Sequence, residues 1–256
     1  MFDLATDWAI SVAVVLPRMA MAFIILPLFT SESMPALARN SFFVALAIAV
    51  VPLAGAQEIQ LSAAEVFPIL LKEMFIGAML GFSFSALFWA ISVAGGFLDN
   101  VVGMGFTAVV DPVQGGQRTL FAQFFGQFAN WVFMASGAFI IFLDALLGSY
   151  LMWPVGDMSL KLGPEGFTFM AQHFGYLMTF AFVISAPLIV TVMLVDVVFG
   201  LLNRYAQQLQ VFTMSIPTKV LVSAWLMMLF LGVLVEHLVK AMGENRDILD
   251  KLAPLF

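Results

Sequence analysis

Hydrophobic residues along this chain gather into six runs, at about 8–29, 41–56, 66–98, 120–153, 174–202 and 218–240. A membrane-crossing helix takes about 20 consecutive apolar residues. The second run is marginal by that measure. The third, fourth and fifth exceed it and have room to tilt, kink or split into hairpins. No run alternates with period two for long enough to make a barrel strand, so the pattern predicts an all-α chain of long apolar helices. The pattern shows neither an internal repeat nor a soluble domain. The longest interruption is Gly95–Leu120, GGFLDNVVGMGFTAVVDPVQGGQRTL. It opens on a glycine pair and sets Asp99 and Asn100 at the end of an apolar helix. It then crosses Asp111–Pro112 and closes on Gly115–Gly116. Exposed backbone at membrane depth is tolerated only against protein or a water-filled space, so this segment predicts a passage or cavity.

Composition supports the membrane reading. Hydrophobic residues make up 62% of the 256 and charged residues 10%, where a soluble domain carries about a quarter charged. Mean hydropathy is +1.05. The chain is expected to be an integral membrane protein or a subunit buried in a hydrophobic assembly. The 28 Phe and 17 Met suit dense, adaptable apolar packing. The absence of cysteine excludes disulfides, thiol chemistry and cysteine metal sites. A net charge of −6 argues against nucleic acid as a partner. Asp3 and Asp7 stand where a signal peptide needs positive charge, so the first run is expected to be retained.

The few charges are informative one by one. Alternate loops hold Arg39, Arg118, Arg204 and Lys219 on one side, and Lys72, Lys161, Lys240, Arg246 and Lys251 on the other. Four against five leaves orientation undecided. Arg18 follows Pro17 inside the first run, and an arginine there costs about 2.5–3.5 kcal/mol on insertion scales. It either snorkels or pairs with a neighbouring acid, or else it forms an ion pair with another subunit. Glu65, Lys72 and Glu73 open the third run, and Gly77 and Gly81 follow at a GxxxG spacing that favours close helix packing. Gln123, Gln127 and Asn130 share a face of the fourth run, as interhelical glue or as the lining of a wet channel. Asp144 lies deep in that run and needs a partner. Tyr150 and Trp153 suit a membrane interface, and Pro154 stops the helix. Residues 155–173 read as an exposed connection, with His173 a capping or surface residue. Pro187 is expected to kink the fifth run, in which Asp196 is buried, and the tail from about Gly243 is charged and solvated.

Catalytic signatures are missing. Gly103-Met-Gly105-Phe-Thr-Ala108 matches G-x-G-x-x-A but follows an apolar helix, so no dinucleotide site is implied. Glu236–His237 lacks a second histidine for zinc. No enzyme activity and no cofactor are expected. A secondary transporter with Arg18, Asp144 and Asp196 as a buried coupling set remains a distant alternative.

Several segments together resemble one family, the T subunits of the type III secretion export apparatus (SpaR/YscT/HrcT), homologous to flagellar FliR. They are Gly96-Phe-Leu-Asp99-Asn100 with Asp111–Pro112, Ser149–Tyr150 with Trp153–Pro154, and Gly200-Leu-Leu-Asn203-Arg204-Tyr-Ala-Gln-Gln208-Leu-Gln-Val-Phe212 with Pro217 and Lys219. Pro17–Arg18, Pro27, Pro35, Arg39 and Lys72–Glu73 extend the resemblance across the first half. Tyr205 stands where many relatives have a less bulky residue. Asp99–Asn100 and Tyr150…Trp153–Pro154 look more like the injectisome branch than the flagellar one, which stays the alternative.

The resemblance implies bent helical hairpins in a helical hetero-oligomer in the bacterial inner membrane, part of it raised toward the periplasm. It implies a structural and gating subunit that closes a channel for unfolded secreted proteins. The implied partners are the R- and S-type small hydrophobic subunits (homologous to FliP and FliQ), the switch/autoprotease subunit, the large export-gate protein, the unfolded substrates and lipid. The whole of 1–256 is one subunit, with a central plug-like loop at 99–119 and a charged tail at 243–256. Within the loop, Gly103, Gly105, Gly115 and Gly116 supply backbone freedom and Met104, Phe106 and Val109 apolar sealing, around Asp111–Pro112. Candidate inter-subunit contacts are Arg18, Lys72, Glu73, Asp99, Asn100, Gln123, Gln127, Asp196, Asn203, Arg204, Gln208 and Lys219.

Overall fold

The apolar runs fold as helices, and their boundaries show which breaks in the pattern matter. The computed structural model describes residues 2–28, 35–55, 63–104, 119–157, 164–205 and 211–253, with no strand among them. Helices α1 (Phe2–Ile25), α2 (Ala36–Val50) and α3 (Ala63–Val102) carry the first three runs. The fourth run breaks into α4 (Leu120–Ala135) and α5 (Ala138–Met152). The break falls at Gly137, whose φ of +77° is cheap only for glycine. The last two runs form α6 (Pro164–Tyr205) and α7 (Val211–Gly243), followed by a 3-10 turn (Glu244–Asp247) and α8 (Ile248–Leu252).

Pro17 and Pro187 lie inside helices that continue past them. One expectation changes here: the connection after Pro154 is shorter than 155–173, because α6 already begins at Pro164. Proline suits a first helical position, where its missing N–H has no helical partner anyway. His173 consequently sits within α6, half-buried, with Nε2 3.2 Å from the Ser83 carbonyl and its ring stacked on Phe169.

Among the described residues, four helical stretches are long and apolar enough to cross a membrane, or five if the α4–α5 pair forms one broken span. Helix α3 is 40 residues long, about 60 Å at 1.5 Å per residue. That is twice the bilayer's hydrocarbon thickness of about 30 Å.

The chain divides into two compact units. The first comprises Met1–Ala86, Met134–His173 and Met242–Phe256. Its centre is an aromatic cluster in which Phe23 stacks on Phe43 at 5.2 Å and meets Phe142 edge-on at 5.2 Å, with Phe84 also against Phe142. Helices α1 and α3 reach this cluster by close approach. A Cβ on Gly77 would stand 2.1 Å from the Arg18 carbonyl oxygen, and one on Gly81 2.7 Å from that of Ala22. The GxxxG spacing is thus a packing device, and α1 is its partner. The tail is more than a solvated extension. Ile248 and Leu252 are buried, Leu249 packs on Gly148 of α5, and Asn245 donates to the Ser83 carbonyl at 3.2 Å. Its charges point out while its leucine and isoleucine spacing supplies an inner face.

The second unit comprises Leu87–Phe133 and Phe174–Ala241. Gly95 lets α3 meet the start of α4, where a Cβ would come within 2.6 Å of the Phe121 oxygen. Phe88 packs on Phe133 and Phe97 on Phe182. Helices α6 and α7 bury little: Leu194, Leu221, Trp225 and Met228 are all more than half exposed. Such faces are covered by lipid or by other proteins.

Gly81→Val should separate α1 from α3 and destabilise the detergent-purified protein by about 3 kcal/mol, in the range of severe overpacking. Gly175→Ala, where an added methyl meets nothing within 4 Å, should leave the unfolding midpoint no lower, since alanine is the better helix former. Thermal unfolding of the two variants checks both expectations.

Candidate functional site

Charge placement defines two candidate sites, one in each unit. In the first unit Arg18 is fully buried. Its Nε donates to Glu73 Oε2 at 2.6 Å and its Nη2 to Oε1 at 3.0 Å, a bidentate pair. Nη1 donates to Ser149 Oγ at 3.1 Å and Nη2 also to the Trp153 carbonyl at 2.8 Å. The guanidinium lies 4.1 Å from the Tyr150 ring centroid, and the Tyr150 hydroxyl donates to the Val15 carbonyl at 2.9 Å. Lys72 Nζ stands 3.1 Å from Glu73 Oε1 and donates to the carbonyls of Pro154, Val155 and Asp157 at 2.8–2.9 Å. The cluster holds two cations and one carboxylate. The surplus positive charge faces carbonyls just beyond the C-terminal end of α5, the negative pole of that helix.

Arg18, Lys72 and Glu73 therefore satisfy one another inside the chain, and the cost of their burial needs no second subunit. Tyr150 is buried, with its ring against the Arg18 guanidinium. Ser149 and the 153–157 carbonyls are the members of the cluster that sequence reasoning missed. The quoted Ser149–Tyr150 and Trp153–Pro154 segments marked the place but not the partner, because helix packing sets which cation a distant turn will meet.

In the second unit the charges hold the two roots of the α3–α4 connection. Asp99, buried near the end of α3, accepts from the backbone N–H groups of Phe121 at 3.1 Å and Ala122 at 2.9 Å. It also accepts from the Thr119 hydroxyl. A carboxylate on the free N–H groups of a helix start serves as its cap and matches the positive pole. Asp99 thus works as an N-cap of α4 delivered from another helix. On the other root, Lys219 of α7 donates to the Val101 carbonyl at 3.2 Å and pairs with Asp196 at 3.0 Å. Asp196 was expected to be buried, yet its side chain is 46% exposed. Gly103 leaves α3 with φ +93°, the left-handed turn that favours glycine at a helix end.

Of the other expected site residues, Met104 is half-buried just beyond Gly103. Asn100, Gln123, Gln127, Asn203 and Arg204 are exposed, and Asn100 bonds back to its own helix at Gly96. Gly105, Phe106, Val109, Asp111, Pro112, Gly115, Gly116 and Gln208 lie outside the described residues. Among the described residues no cluster of three or more His, Asp and Glu could hold a metal.

Comparison with known proteins covers both sites. Residues 9–245 match the model of the family described as "Bacterial export proteins, family 1". The chain belongs to this family of bacterial export proteins. Relatives include the Yop proteins translocation protein T of Yersinia pestis, 28% identical over 99% of this chain and 98% of that protein. The secretion system apparatus protein SsaT of Salmonella typhimurium is 30% identical over 92% of each chain. The flagellar biosynthetic protein FliR of Bacillus subtilis is 29% identical over 85% of this chain and 84% of its own. Both charge sites of this export protein lie within the matched residues.

Glu73→Gln strands Arg18 without its counter-charge and should destabilise the protein by about 3–5 kcal/mol, as breaking a buried pair does. The double variant Arg18→Met/Glu73→Leu should recover a large part of that loss, measured by chemical unfolding in detergent. Asp99→Ala should cost about 2 kcal/mol through the lost cap and its stranded N–H groups. Faster amide exchange at Phe121 and Ala122 would report it.

Proposed function

We propose that this export protein is the structural and gating subunit of a type III secretion export gate of the injectisome branch. It assembles with the R- and S-type small hydrophobic subunits in the bacterial inner membrane, alongside the switch subunit and the large export-gate protein. Together they form and close a channel for unfolded secreted proteins. The observation that carries this reading is the end-to-end similarity to a type III translocation protein, over 99% of one chain and 98% of the other. The flagellar relative, FliR, aligns over less of both chains.

The charge arrangement supports a gate more than a transporter. Arg18 and Asp196, two members of a supposed coupling set, are paired with Glu73 and Lys219 and so are poorly placed to exchange ions. The roots of the 103–118 segment are instead held firmly, by Asp99 on one side and Lys219 on the other. Firm roots suit a segment that obstructs a passage and is displaced by substrate. A helix of about 60 Å also suits an assembly that extends beyond the hydrocarbon layer toward the periplasm.

Removal of residues 106–116 from the chain in its native secretion system tests the gate. Ion leakage across the inner membrane should rise at least severalfold, with secretion altered. Leakage and secretion both at wild-type levels would overturn the gating role while leaving family membership intact.

A further inference from the structure

Helices α1, α3 and α6 leave a cavity between them in the first unit. It measures about 300 Å³ and is open on one side. Its walls include Ile25 at the end of α1, Phe75, Ala78 and Phe82 of α3, and Gly166 and Met170 near the start of α6. The sequence makes the room, because Ala78 and Gly166 supply little or no side chain where the helices face the space. Phe75 and Phe82 stand two turns apart on one face of α3, about 10 Å at 1.5 Å per residue. The walls therefore extend along the helix.

Space of this kind is costly to leave unfilled. The cost of a void rises with its volume, and at this size it is a large share of a domain's stability. Water fills it poorly, because a buried water needs two to four polar partners and every described wall residue is apolar or glycine. A smaller apolar cavity stays dry and takes up benzene. The occupant therefore has to be apolar.

Length selects among apolar occupants. The same face of α3 carries Phe67, Leu71 and Met74, eleven, seven and four residues before Ala78, and these are 68%, 51% and 39% exposed. An exposed apolar track thus leads along α3 to the cavity. From Leu71 to Phe82, track and cavity together run about 16 Å. One leaflet of hydrocarbon is about 15 Å deep, half of the full layer, so the run matches a single lipid chain. None of these residues is charged, so the surface suits the chain of a lipid and not its head group. Helices α1, α3 and α6 each contain a stretch long and apolar enough to cross a membrane, where such chains are abundant.

We infer that this cavity is a binding site for one acyl chain of a membrane phospholipid. The chain enters along Leu71 and Met74 and ends between Phe75 and Phe82, filling the space that Ala78 and Gly166 leave. The site goes beyond the gating role and stands whether or not that role does.

The test places the full chain in vesicles of phosphatidylethanolamine and phosphatidylglycerol. These contain a phospholipid probe with a diazirine near the end of one acyl chain. Adducts formed on irradiation are mapped by peptide mass spectrometry. Those on residues 75–82 and Met170 should saturate as probe rises, and should exceed at least fivefold those at Trp225 and Leu229, exposed on α7. Ala78→Phe and Gly166→Leu fill the cavity from opposite helices. Each should lower the cavity adducts at least fivefold and leave the α7 adducts unchanged. Cavity adducts no more frequent than those on α7, or rising without saturation, are ordinary lipid contact and overturn the site. Cavity adducts that persist in both variants also overturn it. Saturation and the contrast with α7 are read on the wild-type chain, so they decide the case if both variants misfold. The labelling is repeated on the chain co-purified with its apparatus subunits and returned to the same vesicles. Adducts retained there support the lipid chain. Adducts lost there mean that a neighbouring subunit fills the space, and overturn the lipid as its occupant.

Discussion

Burying charge where water is scarce is the constraint on which most of this structure depends. Arg18 and Glu73 are both fully buried, and either alone would be untenable there. Their bidentate contact fixes where α1 stands against α3. Ser149, Tyr150 and the Trp153 carbonyl then bring the end of α5 to the same point. Lys72 adds the following turn through three carbonyls. Elements far apart in sequence are thus tied by one small polar knot. The knot works because each donor has an acceptor and the leftover positive charge meets the negative end of a helix.

Close backbone approach is the second requirement, and glycine meets it. Gly77 and Gly81 let α1 lie against α3, so the Arg18 side chain can reach Glu73 without a bulky neighbour holding the helices apart. Gly95 plays the same part between α3 and α4 and brings the α4 start within reach of Asp99. In both units the order is the same. Small residues bring two helices together, and a buried charge then fastens them at one height. Frames of this kind leave the α3–α4 connection attached at two defined points, and leave large apolar residues of α5, α6 and α7 exposed.

Much of this was legible in the sequence. Six apolar runs foretold helices and membrane residence, since water-free surroundings demand internally satisfied backbone and nothing in the pattern alternated. The GxxxG pair at Gly77 and Gly81 pointed to close packing, and Asp144 was marked as a charge in want of a partner. Other readings failed for identifiable reasons. His173 and the tail looked exposed because a local polar stretch gives no sign of a distant helix that will cover it. Asp196 looked buried because hydropathy counts neighbours along the chain and not around the helix.

The sequence by itself determined the helical class, the membrane setting, the position of the long polar break and, through its ordered motifs, membership of a family of bacterial export proteins. These depend on composition, periodicity and residue order, which are all local or linear properties. Only the tertiary structure decided which acid neutralises which base, that Asp99 caps a helix other than its own, and that Asp144 lacks a partner among the described residues. An ion pair across 55 positions of chain depends on how helices pack in three dimensions. No spacing rule carries that information, because the same charges would pair differently if the glycines let other helices meet.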